Sequence, residues 1–175
     1  MAQVWILLLV LCLTPKILLA ETSVDELPNI TGRVIPLLTF DLKGGGQLFS
    51  GGHLTSRGEA FYLVRVKNQS GDPIEADSLV VVVEQVQDLG TLCDVTEKVE
   101  FPGADGETRG GKPYFRVPMG EKTVLGPFQE SQSFSLEIRN PNLIQLYPPV
   151  LRVRGIRVTS AQRYQDALSG MEDNP

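Results

Sequence analysis

Histidine is almost missing from this chain: in 175 residues His53 is the only one. Metal binding or histidine-based catalysis needs partners at fixed spacing, and no His-Glu-x-x-His, Cys-x-x-Cys or Gly-x-Ser-x-Gly accompanies it. His53 therefore reads as a loop residue, and no metal or cofactor is expected. Cysteine is nearly as scarce. Cys12 lies in the leading apolar segment, so a chain without that segment keeps only Cys93 and forms no internal disulfide. Such a fold must rest on its hydrophobic core, as in a bacterial exported protein, and Cys93 is expected to be a buried, inert thiol. The one tryptophan, Trp5, belongs to the same leading segment. Basic charge is short too, with 16 Lys and Arg against 21 Asp and Glu, which argues against general binding to nucleic acid phosphates. Finally, the apolar run from Val4 to Leu13 falls well short of the roughly twenty residues a membrane-spanning helix needs.

That run has the length of a secretory signal core, and the chain turns polar at Glu21-Thr22-Ser23. Residues 1–20 are read as a helical signal peptide, and the protein as exported to the periplasm or beyond the cell. Membrane attachment is expected only if the signal stays uncleaved. Removal of residues 1–20 takes away Lys16 and leaves 15 basic against 21 acidic residues, a net charge of −6. Residues 21–59 are read as an N-terminal strand and a Gly-rich loop (Lys43 to Gly52), and residues 60–159 as one β domain. Residues 160–175 form a tail, where Ala161, Tyr164, Ala167 and Leu168 pattern a short helix.

Within the domain, period-two alternation recurs between turn residues, which makes it all-β. From Ser133 to Arg139, Phe134, Leu136 and Ile138 alternate with polar residues; Tyr62, Val64 and Val66 do the same up to a turn at Asn68-Gln69-Ser70-Gly71-Asp72-Pro73. Leu79 to Val83 is different, because five apolar residues in a row leave no face for water. A strand of this kind must be covered on both sides, and a loop over its outer face is the favoured cover, ahead of an exposed partner-binding patch. Short strands are expected at Glu97 to Phe101 and Tyr114 to Val117. In Leu151 to Val158 the alternation changes phase at Gly155, which predicts a β-bulge there.

Three features invite a functional reading. Gly106-Glu107-Thr108-Arg109-Gly110-Gly111-Lys112 has the spacing of a phosphate-binding loop, but Pro113 stands where a hydroxyl is needed and bars a helix in that register. With Trp5 lost, stacking on a sugar falls to Tyr62, Tyr114, Phe115, Phe128, Tyr147 or Tyr164, with the pair Tyr114-Phe115 beside that loop the first candidate and Tyr147 next. The row Arg152, Arg154, Arg157, with Arg163 beyond it, offers an anionic partner a basic stripe, although charges on an edge strand also block unwanted pairing. The last is the favoured role. The sequons at Asn29 and Asn68 are taken as chance.

The order of these parts resembles the immunoglobulin-like and fibronectin-type-III-like domains of bacterial surface and secreted proteins. The resemblance runs from the strand and turn Phe61 to Ile74, through Leu79 to Val83, Gly111-Lys112-Pro113-Tyr114-Phe115 and Leu125-Gly126-Pro127-Phe128, to Asn140-Pro141 and Leu151 to Val158. It implies an antiparallel sandwich of about seven strands, and an accessory or adhesive role. It transfers no functional residue. Such domains commonly carry a glycine and a small or acidic residue where this chain has Phe128-Gln129-Glu130. The expected function is a non-enzymatic binding or adhesion module for a protein or glycan of the envelope or extracellular space. A carbohydrate-binding module is the alternative, and a hydrolase with dispersed carboxylates is the lesser one.

Overall fold

The computed structural model describes residues 23–40, 47–48, 54–55 and 59–159. Residues 1–20, read above as a signal peptide, His53 and the C-terminal tail lie outside them. The described chain is all-β and antiparallel, with 3-10 turns at Val24–Glu26, Ala76–Ser78 and Thr96–Lys98. No helix among the described residues is long and apolar enough to cross a membrane.

Alternation decides the first sheet. In β4 (Ala60–Asn68), Ala60, Tyr62, Val64, Val66 and Asn68 are buried, while Leu63 and Arg65 face outward. β1 (Val34–Phe40) and β10 (Phe134–Ile138) pair with its two edges, so the three-stranded order is β1-β4-β10. The strand expected before the Gly-rich loop is thus paired directly with the domain. Val66 turns its amide and carbonyl towards Ser131, so Pro36 opposite it points its nitrogen away from β4 and costs the ladder nothing. Asn68 is fully buried at the end of β4. Its amide donates to the carbonyls of Asp72 (2.8 Å), Gly126 (3.1 Å) and Leu125 (3.2 Å), and its oxygen accepts from Ser70, which ties the expected turn to a second loop.

The second sheet runs β11-β6-β8-β7, from β11 (Val150–Arg154), β6 (Val80–Gln85), β8 (Pro113–Arg116) and β7 (Gly106–Glu107). Small ladders join β2 (Gln47–Leu48) to β3 (Leu54–Thr55) and β5 (Ile74–Glu75) to β9 (Val124–Leu125). Val64, Val66, Leu136 and Ile138 from the first sheet share one core with Val81, Val83, Phe115, Leu151 and Val153 from the second. Tyr62 sits in this core, and burial pushes its phenol up to about 12.

The unbroken apolar run in β6 is explained by a second, outer cluster. Val81 and Val83 face the main core, whereas Val80 and Val82 face Val24 and Leu27, with Tyr114 and Ile156 alongside. The cover is the segment 23–31, which we call the strap. After its 3-10 turn it runs antiparallel to the outer edge of β11: Ile30 N–H donates to Val153 O (3.0 Å), Gly155 N–H to Pro28 O (3.1 Å), and Val153 N–H to the Thr31 hydroxyl (2.9 Å). Burying Val24 and Leu27 contributes about 1.5 to 3 kcal/mol each.

Several local expectations are corrected. The register shift in β11 falls between Val150 and Leu151, at the strand entry. Gly155 lies past the strand end, and its role is close packing: a Cβ there would meet Ile30 at 3.2 Å and Ile74 at 3.3 Å. The change of phase is real, since Leu151 and Val153 join the main core while Ile156 joins the outer cluster. Residues 97–101 contain no strand; the chain turns at Thr96–Lys98 and makes one bridge, Glu100 to Arg139. Cys93 is exposed, because it stands at a turn tip.

Candidate functional site

The structure separates the residues singled out from the sequence. Phe115 is 3% exposed and stacks on Phe134 with ring centroids 5.8 Å apart, so it offers no face to a ligand. Tyr114 points the other way, into the outer cluster, and lies so close over Gly106 that a Cβ there would stand 2.8 Å from its hydroxyl. The adjacent pair is therefore split between two cores, as alternation along β8 requires. The arginine row is divided as well. Arg152 pairs with Glu84 (3.0 Å), Arg157 with Asp72 (3.5 Å), and the Arg154 guanidinium donates to the carbonyls of Val24 and Asp25 (both 3.1 Å). Arg154 is thus spent on holding the strap, Arg152 on an ion pair with β6 and Arg157 on one with the turn after β4. The edge the row was expected to guard is covered by the strap's own backbone.

The glycine-rich stretch is a β-hairpin turn joining β7 to β8, where Gly111 takes a φ of 69° and Thr108 closes the loop on Lys112. Between it and the turn at Thr96–Lys98 lies a groove of about 700 Å³, with Phe101, Glu97, Glu107 and Lys112 in its lining. Lys112 donates to Glu84 O (2.6 Å) and lies 3.8 Å from Asp94, which lines the same groove. Partial burial acts to raise the Asp94 carboxyl, but the Thr96 hydroxyl and amide and the Lys112 charge outweigh it and hold it below the usual carboxylate range. Asp94 is thus a standing anion and a poor proton donor. Among the described residues no group of three or more His, Cys, Asp or Glu is placed to hold a metal ion.

The most unusual feature lies at the end of the molecule beyond the C-terminus of β6. Two turn tips meet there: Leu89 N–H donates to Gln145 O (2.7 Å), Tyr147 N–H to Gln87 O (2.9 Å), and Asp88 bridges Leu146. Neither Leu89 to Cys93 nor Asn140 to Val150 contains a charged residue. Leu92 (61% exposed), Leu143 (63%) and Val150 (51%) stand out from this end, and Tyr147 is half-buried among them. Leu92 and Leu143 also have left-handed backbones, with φ of 59° and 52°. Such a conformation suits glycine or asparagine and strains a bulky side chain by about 1 kcal/mol or more.

Two polar hubs hold those conformations in place. The Asp88 carboxylate accepts from Gly90 N–H (3.0 Å) and the Thr91 hydroxyl (2.6 Å), while Leu92 N–H donates to Asp88 O (2.9 Å). The Thr91 hydroxyl and the Gly90 amide keep that carboxyl below its usual range. Asn140, 2% exposed, clamps the second tip through Ile144 O (2.6 Å) and Ile144 N–H (3.2 Å). Among the described residues the third non-glycine residue with a left-handed backbone is Phe128, φ 60° and 70% exposed, in a turn beside the far end of β4. Of the sequence candidates only Tyr147 falls at the uncharged end. Leu92, Leu143 and Val150 were missed, although the charge-free run of eleven residues from Asn140 to Val150 is legible in a chain that is 21% charged.

Compared with protein-family models, curated proteins and solved structures, the chain matches none of them.

Proposed function

We propose that this chain is an exported, non-enzymatic binding module of the immunoglobulin-like kind, which engages a protein partner in the envelope or outside the cell through its uncharged end. The observation that carries the reading is the coincidence at Leu92 and Leu143 of bulky apolar side chains, high exposure and left-handed backbone. Glycine at either tip would relieve strain and remove exposed apolar surface at once, so stability does not account for leucine. Contact does. The chemistry of the end specifies an apolar partner surface, with the polar side chains of Asn142 and Gln145 at its rim. The one carboxylate at the tips, Asp88, is turned inward onto Gly90 N–H and the Thr91 hydroxyl, so binding through Leu92 and Leu143 is expected to depend little on salt.

The glycan alternative rested on Tyr114, Phe115 and Tyr147, and it is weakened because Phe115 and Tyr114 are turned into two clusters. The test is a photo-reactive residue at position 143 in the full chain, cross-linked in its native envelope at low and high salt. A discrete partner at both salts, lost on Leu92→Asp, supports the reading. A partner retained by Leu92→Asp and lost on Glu97→Lys moves the site to the groove, and robust hydrolytic turnover by the purified chain ends the non-enzymatic reading. Sequencing of exported material is expected to find Glu21 at its start.

A further inference from the structure

We infer that the outer face of β6 and the edge of β11 form a receptor for the strap of a second copy, so that copies of this chain associate by exchanging residues 23–31. The occupant of that receptor is already in place. Val24 and Leu27 fill the face made by Val80 and Val82, and both of those valines are within 1% of full burial beneath them. The backbone of Pro28 to Ile30 adds an antiparallel rung pattern to Val153, Arg154 and Gly155. Arg154 grips the carbonyls of Val24 and Asp25, while Asp25 accepts from Arg109 N–H (2.9 Å) and Glu26 lies 3.7 Å from the Arg109 guanidinium. Apolar staples, main-chain ladder and a charged clamp together make a site specific for this segment.

Every one of those contacts is the same whether the strap comes from the same copy or another. What changes is confined to the connection. Arg33 N–H and Val34 N–H both donate to Ile30 O (2.8 and 2.9 Å), and these two bonds exist only while the chain folds back on itself. Gly32 and Arg33 are exposed, and nothing lies within 4 Å of where a Gly32 Cβ would be, so the connection straightens without a clash. Closed and exchanged forms therefore differ by two turn hydrogen bonds and by the effective concentration of an attached strap, on the order of millimolar. Exchange is reciprocal between two copies and leaves the uncharged end free.

The test shortens the connection. Deleting Gly32 and Arg33 from the full chain stops the strap from reaching its own β11, and light scattering after size exclusion is expected to show a doubled mass. Hydrogen exchange is expected to show Val80 to Val82 and Val153 as protected as in the unaltered chain. Adding Leu27→Asp to the shortened chain is expected to return the mass to that of a monomer. A folded shortened chain that stays monomeric, or a dimer with those amides unprotected, overturns the inference. If the shortened chain does not fold, the unaltered chain decides: light and nitrogen-15-labelled copies held together at about millimolar concentration give mixed dimers by native mass spectrometry if straps exchange, and their absence overturns it.

Discussion

Two groups of large apolar side chains outside the main core are treated in opposite ways. On the outer face of β6, Val80 and Val82 are sealed by Val24 and Leu27. At the turn tips, Leu92, Leu143 and Phe128 are left bare and held in strained backbone. The covered set carries stability. On the proposed function, Leu92 and Leu143 of the bare set are kept for contact with a partner.

Charge insertion is the harshest way to break that distinction. Val82→Asp buries an unpaired carboxylate between β6 and the strap, and is expected to cost more than about 4 kcal/mol and unfold much of the protein at room temperature. Leu143→Asp puts the same charge in water and is expected to stay within about 0.5 kcal/mol of the parent by urea unfolding. Truncation gives a milder version. Leu27→Ala removes a buried side chain and is expected to cost about 2 to 4 kcal/mol, whereas Leu92→Ala is expected to shift the urea midpoint hardly at all. Equal costs in either pair would dissolve the comparison.

High pH tests the main core independently. Tyr62 is neutral in the folded chain up to about 12, against 10.0 when free. Its contribution is intact below pH 10 and is lost as pH rises from 10 to 12, because the unfolded chain ionises its tyrosine first. The loss is expected to reach about 2 to 3 kcal/mol, and Tyr62→Phe is expected to remove that part of the pH dependence. Ultraviolet titration is expected to find one phenol that ionises near 12 in the folded protein.

Much of the fold was legible because alternation is a local property. The strands around Tyr62 to Lys67 and Ser133 to Arg139 follow from one buried and one wet face, and the Leu79 to Val83 run correctly demanded a second cover. The identity of that cover was not legible: the strap is distant in sequence, and its short apolar pattern, Val24 and Leu27, carries no periodicity of its own. Phe115 was misplaced for a related reason, since alternation says that Tyr114 and Phe115 diverge but not which of them faces the core. Cys93 was assigned to the interior on residue type, and a turn tip overrode it. The tips themselves went unseen because a left-handed backbone at leucine leaves no mark in composition.

The smallest expected change is the most telling. Replacing Leu92 and Leu143 by glycine in the full chain relieves left-handed strain at both tips, so the melting temperature is expected to rise by about 2 to 4 °C, while cross-linking to the partner from a photo-reactive residue at Val150 disappears. A variant that melts lower and still captures the partner would contradict the account, because the leucines would then serve the fold and not the contact.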